Sequence, residues 1–301
     1  MHGLLLLDKP AGLTSHDCVR QVRRLFKTRK VGHAGTLDPL ATGVLPIAIG
    51  NATKILQFLL AEDKSYRATF KLGITTDTLD SDGQIVLQRP VPSISSQSLA
   101  DICARFTGEI DQQPPMYSAL KKDGVPLYKL ARQGKEIERP TRRIKIFRLD
   151  IIESVADQVT IEVDCSKGTY IRSLAHDIGE VLGCGAHITS LRRLWTGPFS
   201  IDECTTLEEL GNTADKQQFL ISADSALRNL PAVVLNDSGL ARLKFGIPPQ
   251  VEEVALDQTP EPGVVVRLQA AGELVAMARY APLRENEKRG DFELIRVFVS
   301  H

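Results

Sequence analysis

One acid dominates residues 31–50, VGHAGTLDPLATGVLPIAIG. Gly32, Gly35 and Gly43 give the chain conformational freedom on either side of Asp38, and Pro39 fixes the turn just after it. The apolar run VLPIAI that follows reads as a buried strand. A carboxylate held at the mouth of such a strand suits a nucleophile or a general base. An Asp-Pro step that only caps a turn has the same local pattern, so a chemical role needs a partner. Arg172 is a candidate for it. From Ile171 the positions Ile171, Leu174, Ala175, Ile178, Val181 and Leu182 trace a helical stripe that closes at Gly183, which puts Tyr170 and Arg172 in the first turn. A cation there opposes the helix macrodipole unless an anion compensates, and Asp38 can be that anion.

The elements that must position these residues are legible as patterns. GLLLLDKP reads as a buried strand ending in a Lys-Pro turn, and Thr14 with Asp17 makes a capping box for the next helix. That helix turns Val19, Val22, Leu25 and Phe26 inward and carries its arginines on the other side, delivering TRKVG to the Asp38 loop. Residues 51–60 read as a second short helix. Residues 65–72 alternate, with Tyr66, Ala68, Phe70 and Leu72 on one face of a strand. Residues 95–106 form a helix ended by Gly108, and residues 158–165 form a second alternating strand. After about residue 230 the pattern changes. Asp237 or Ser238 caps a short helix, and VVVRL, ELVAMARY and ELIRVFV follow as compact strands suited to a small β-rich barrel.

Composition narrows the chemistry. A chain of 301 residues with 43% hydrophobic residues buries a large core and suits two domains. No apolar run is long enough to span a bilayer, and MHGLLLLDKP lacks the form of a signal peptide, so a cytoplasmic location with no membrane partner is expected. The five cysteines are scattered without a CxxC pair, which argues against a zinc ribbon or a disulfide framework. TTDTLDSDGQ fails as a calcium loop. With Gly83 at the sixth position, Thr78 and Arg89 occupy the first and twelfth, where carboxylates are needed, so the run reads as a polar hairpin turn. No metal site is expected. Net charge is zero, yet residues 18–37 hold six cations and no acid, and residues 121–148 hold ten cations against three acids. Such local excess suits phosphate contacts within a neutral total.

GHAGTLDPLATGVLPIAIGNATK closely resembles the signature of the TruB family, the tRNA pseudouridine-55 synthases. DKSYRA, PPMYSALK, CSKGTYIRSL and GCGAHITSLRRLWTGPFS extend the resemblance over about residues 4–199. Where the family carries GHTG, this chain has Ala34. The resemblance implies an α+β fold with a mixed or antiparallel central sheet flanked by helices and loops, the pseudouridine synthase fold. It also implies an RNA-gripping insertion at about 112–144 and a small β-rich, PUA-like C-terminal domain. The expected boundaries are 1–229 and 230–301.

The implied reaction isomerises a uridine in the T arm of tRNA, with no cofactor and no obligate protein partner, on a monomer. Asp38 is the expected nucleophile, Arg172 orients it and keeps it ionised, and Tyr66 acts at the base. His33, Tyr66, Tyr170 and Leu191 hold a flipped nucleotide, and Arg192 and Arg193 serve phosphates or solvent. Attack at C1′ and attack at C6 both remain open, and an RNA-binding or RNA-folding protein is the competing reading. An aspartate-nucleophile hydrolase is disfavoured, because the chain lacks a GK[ST] phosphate loop.

Overall fold

The structure is a computed structural model that describes residues 2–255, 259–282 and 290–299. The first unit opens with β1 (Gly3–Lys9), α1 (Ser15–Leu25), β2 (Val31–His33), β3 (Thr42–Ile49), α2 (Leu56–Leu59) and β4 (Lys64–Leu72). A hairpin of β5 (Ile74–Thr76) and β6 (Ile85–Gln88) follows, then α3 (Ser96–Arg105) and β7 (Gly108–Gln112). The next excursion holds a miniature hairpin, β8 (Lys121–Lys122) with β9 (Val125–Pro126), and the short helix α4 (Leu127–Ala131). The long strands β10 (Arg142–Val155) and β11 (Gln158–Cys165) lead through α5 (Ile171–Val181) to β12 (Ala186–Thr196). Short elements close the unit: β13 (Phe199–Ser200), α6 (Leu207–Asn212), β14 (Leu220–Ile221) and α7 (Ala223–Ala226).

Its sheet runs β14-β1-β3-β12-β4-β11-β10-β7, with β2 added to β3 and β13 to β12. Among the described strands of this sheet, β3 and β12 make the one parallel pair, at Thr42 opposite Arg192 and Gly43 opposite Arg193. The fold is therefore α+β around a mixed sheet. A second sheet follows, built from β15 (Ala232–Leu235), β16 (Val254–Ala255), β17 (Val265–Ala270), β18 (Glu273–Tyr280) and β19 (Phe292–Val297), with helix α8 (Asp237–Lys244) after β15.

Two strand patterns in the sequence have two physical causes. β4 and β11 alternate because only one face is covered: Tyr66, Ala68, Phe70, Ile161 and Val163 enter the core, while Arg67 meets Glu162 at 2.6 Å and Thr69 meets Thr160 at 2.9 Å on the other face. β1 and β3 are apolar throughout because both faces are covered. Leu5, Leu7, Leu45 and Ile47 join the core under α1 and α5. Leu4, Leu6, Val44 and Ala48 join a second core with Met277 of β18 and Ile295 and Phe298 of the C-terminal segment.

α1 starts on the expected capping box, with Thr14 and Asp17 each capping the other's backbone N–H. Other expectations need correction. Residues 50–55 form a 3-10 turn before the single α turn of α2. Val181 of the α5 stripe is exposed. Asn236, not Asp237 or Ser238, caps α8 by accepting from the Gly239 N–H at 2.9 Å. The C-terminal unit is β-rich as expected, its strands forming a five-stranded sheet in which β15 and β17 pair in parallel.

Gly43 carries a steric requirement. At φ +101° it lies where L side chains are strained, and a Cβ there would collide with the Arg193 carbonyl oxygen across the parallel pair. Gly43→Ala is expected to destabilise the fold by about 2 kcal/mol or more, because strain and overpacking fall on backbone that cannot yield. A urea unfolding curve with a lower midpoint and unchanged slope is the expected result.

Candidate active site

The Asp38 turn is fixed by two buried side chains from the start of the chain. Ser15 Oγ accepts from the Leu37 N–H at 2.8 Å and donates to the Leu37 carbonyl at 3.1 Å. Lys9, at the end of β1, is fully buried, and its Nζ donates to the carbonyls of Pro10 (2.9 Å), Pro39 (3.2 Å) and Ala41 (2.5 Å). An ammonium has three donors, and here three carbonyls face it. Burial pushes the Lys9 pKa down, while charges including the Asp38 carboxylate oppose that shift.

Arg172 enters from the first turn of α5 and is 4% exposed. Its Nε meets Asp38 Oδ2 at 2.9 Å. The rest of the fork is also engaged: Nη1 donates to the Thr78 carbonyl at 2.8 Å and to Asp80 Oδ2 at 3.2 Å, and Nη2 donates to the Tyr117 carbonyl at 2.8 Å. A guanidinium can orient a carboxylate only when its own plane is fixed, and these bonds fix it from the β5–β6 hairpin and from the excursion after β7. Asp80 is in turn held by Thr78 Oγ1 at 2.6 Å and by the Asp82 N–H at 3.1 Å, both on Oδ1. The run that fails as a calcium loop thus supplies a buried counter-ion for the arginine.

Burial pushes the Asp38 carboxyl above its ordinary value; Arg172 and Lys9 pull it back, and Asp80 and Asp82 push it further up. Arg172 thus favours the ionised acid, and burial opposes it. A third of the Asp38 side chain stays open to solvent, so a substrate can reach the carboxylate.

The other expected residues fall in two groups. Tyr66 and Leu191 lie on the inner face of β4 and β12 and share an apolar cluster with Leu37 and Ile171, next to Asp38 and Arg172 in the chain. Burial raises the Tyr66 phenol pKa, an effect that Arg193 opposes. Tyr170 caps α5 through its backbone, which Gln112 grips on both sides: the Tyr170 N–H donates to Gln112 Oε1 at 2.8 Å, and Gln112 Nε2 donates to the Tyr170 carbonyl at 3.0 Å. His33 belongs to the glycine-rich stretch itself. It sits on β2 opposite Ile47, and burial lowers its pKa with help from Arg193 and His16, which favours the neutral ring.

Arg193 corrects another expectation. It is fully buried and meets neither phosphate nor solvent: Nε donates to the Val44 carbonyl at 2.7 Å and Nη2 to the Gly35 carbonyl at 3.2 Å, beneath the glycine-rich loop. Arg192 points to the opposite face and pairs with Asp8 at 2.7 Å. Asp80, Lys9 and Gln112 are the residues that sequence reasoning missed. A lysine closing an apolar strand run was a usable signal for Lys9, and the unassigned acids of the rejected calcium loop were one for Asp80. No group of three or more potential metal ligands occurs among the described residues.

The family model of the TruB family pseudouridylate synthase N-terminal domain matches residues 23–171, and that of the tRNA pseudouridylate synthase B C-terminal domain matches residues 172–230. The chain belongs to the TruB family. It is 55% identical to tRNA pseudouridine synthase B of Syntrophotalea carbinolica, over 99% of this chain and 98% of that one. With the protein of the same name from Geobacter sulfurreducens it shares 46% identity, over 99% of this chain and 100% of the other. Among solved structures, a chain of a Cbf5–Nop10–Gar1 complex aligns with a TM-score of 0.77 and 30% identity, covering 99% of this chain and 85% of that one. A chain of an H/ACA RNP bound to a substrate RNA containing 2′-deoxyuridine aligns with a TM-score of 0.75 and 28% identity, covering 99% and 85%. The junction of the two family models, between Ile171 and Arg172, falls within the first turn of α5, so the expected acid and its arginine come from different family segments.

The raised Asp38 pKa has a consequence for stability. A carboxyl that binds its proton more tightly in the folded than in the unfolded chain adds stability below its unfolded pKa, and this is lost as pH rises through the folded value. Above the folded pKa, the ionised Asp38 is therefore a destabilising charge. Asp38→Asn is expected to raise the melting temperature at pH 7, with the difference from wild type closing as pH falls toward 4; an equal difference at both pH values would contradict the assignment.

Proposed function

We propose that this chain is a tRNA pseudouridine synthase that converts the uridine at position 55, in the T arm, to pseudouridine. The observation that carries the reading is the 2.9 Å pairing of Arg172 with a partly open Asp38, in a TruB-family chain that keeps every segment of the family pattern. The reaction breaks the C1′–N1 bond, forms a C1′–C5 bond and releases the hydrogen of C5 as a proton. It is redox-neutral and calls for no cofactor.

Asp38 is the nucleophile, and Arg172 is the positioning residue that aims it. The target nucleotide must leave its stack, at about a few kcal/mol, and stacking on protein rings returns about 1–3 kcal/mol per base. Tyr66 acts at the base, and Tyr170, Leu191 and His33 complete the nucleotide pocket. The excursion at about 112–144 grips the RNA. Tyr117 and Tyr128 interleave there with exposed cations, and its root bonds directly to Arg172. The C-terminal unit, 230–301, is a PUA-like RNA-binding domain attached to a catalytic unit spanning 1–229. One chain serves one tRNA as a monomer in the cytoplasm. Among the described residues no helix is long and apolar enough to cross a membrane.

Tritium release from an unmodified tRNA transcript labelled at C5 of uridine tests the reaction. Wild type is expected to release tritium and Asp38→Asn to release none while still binding the transcript. Binding without release by either protein would replace the isomerase with an RNA-binding protein. The same assay carries a pH expectation. Only the ionised acid attacks, so the acid limb of kcat/KM is expected to lie above the ordinary aspartate pKa of 3.8. A limb at or below that value would remove Asp38 as the titrating group.

A further inference from the structure

Four of the described helices end in the same hydrogen-bonded turn, α4 among them at Gly134, and one of the four is chemically unlike the others. In α5 and α8 the residue just past the cap is a glycine in the left-handed region, Gly183 at φ +81° and Gly246 at φ +69°. Its N–H bonds three residues back, to Glu180 at 3.0 Å or Leu243 at 2.9 Å, and the next N–H bonds five residues back, to Gly179 at 3.2 Å or Arg242 at 3.1 Å. This is the Schellman arrangement, and glycine is its usual occupant because a Cβ is strained there. α1 closes identically, with the Lys27 N–H on the Arg24 carbonyl at 3.3 Å and the Thr28 N–H on the Arg23 carbonyl at 3.1 Å. Its left-handed residue is Lys27, at φ +50°.

Lys27 lies in a cationic stretch. Arg24, Lys27, Arg29 and Lys30 are all exposed. Lys30 bonds Asn51 at 2.9 Å, and Arg23 and Arg20 are engaged with the Val31 carbonyl and with Asp17. Among the described residues the side chains of Arg24, Lys27 and Arg29 have neither a hydrogen bond nor an ion pair. A cation at a helix C-terminus gains modestly from the macrodipole, but the left-handed turn strains a lysine where glycine fits, and this side chain has no partner among the described residues. The stretch also runs straight into β2, which ends at His33 five residues before Asp38. His33 follows Arg29 by four positions, a span of at most about 14 Å.

We propose that the turn closing α1 is an RNA-phosphate contact surface, in which Lys27, with Arg24 and Arg29, engages the backbone of the substrate RNA beside the nucleotide presented to Asp38. The surface is separate in sequence from the excursion after β7. This inference rests on the RNA substrate proposed above.

The test uses the full chain in an Asp38→Asn background, so that an unmodified tRNA transcript binds without turnover. Lys27→Gly is compared with Ala271→Gly, which makes the same change at another exposed position of φ +50° but removes no charge. Both variants are expected to melt higher than their parent. Lys27→Gly alone is expected to bind the transcript several-fold more weakly, with the slope of log affinity against log salt shallower by about 0.7–0.9. An unchanged salt slope for Lys27→Gly, a lower melting temperature for it, or an equal affinity loss in Ala271→Gly would each overturn the proposal. Tritium release by the wild-type chain on the same transcript separates the two readings. An unchanged slope with release intact removes this surface alone, whereas no release with the slope change present removes the isomerase and keeps the surface.

Discussion

The site depends on one buried guanidinium. Arg172 reaches Asp38 with Nε and commits its remaining nitrogens to the Thr78 and Tyr117 carbonyls and to Asp80. These contacts come from three separate stretches: the glycine-rich turn, the β5–β6 hairpin and the excursion after β7. A buried arginine is costly to leave unpaired, so removing any one stretch would leave a charge or a donor without a partner. The same residue thus ties the fold together locally and aims the carboxylate. Lysine could not replace it, because a single ammonium cannot present a planar fork to partners on three sides.

The carboxylate's own support is of a different kind. Ser15 and Lys9 hold the backbone around Asp38, not its side chain, so the turn is rigid while the carboxyl keeps one edge toward solvent. Burial, the two cations and the two neighbouring acids compete over its proton, and burial prevails. An ionised acid in such a recess costs stability above its folded pKa, a cost common where titratable groups are perturbed.

Much of this was legible from residue types. The capping box at Thr14 and Asp17, the alternation of β4 and β11, and the placement of Arg172 in the first turn of α5 follow from local rules that tertiary packing did not override. β10 was not legible. Only Ile144 and Ile146 of its fourteen residues are buried hydrophobics, and register breaks after Ile146 and Ile151 reverse its alternation, so RRIKIFRLDIIESV shows no sustained period. Arg192 and Arg193 look equivalent in sequence but take opposite faces of β12, and a period of two says nothing about which face is the inner one. Asp80 was hidden for another reason: its partner lies ninety-two residues away, and nothing local distinguishes a loop acid that will be buried.

The two-sided burial of β1 and β3 has a consequence for how the molecule comes apart. Leu4, Leu6, Val44 and Ala48 are covered partly by Met277, Ile295 and Phe298. On their opposite faces the same strands carry the residues that pack beneath the Asp38 turn. The C-terminal sheet is therefore less an appendage than the outer wall of the catalytic sheet. A chain cut near residue 230 would lay a leucine-rich face open to water and to other chains, so the catalytic half inherits its cooperativity, and its resistance to aggregation, from residues on the far side of its sheet from the Asp38 turn.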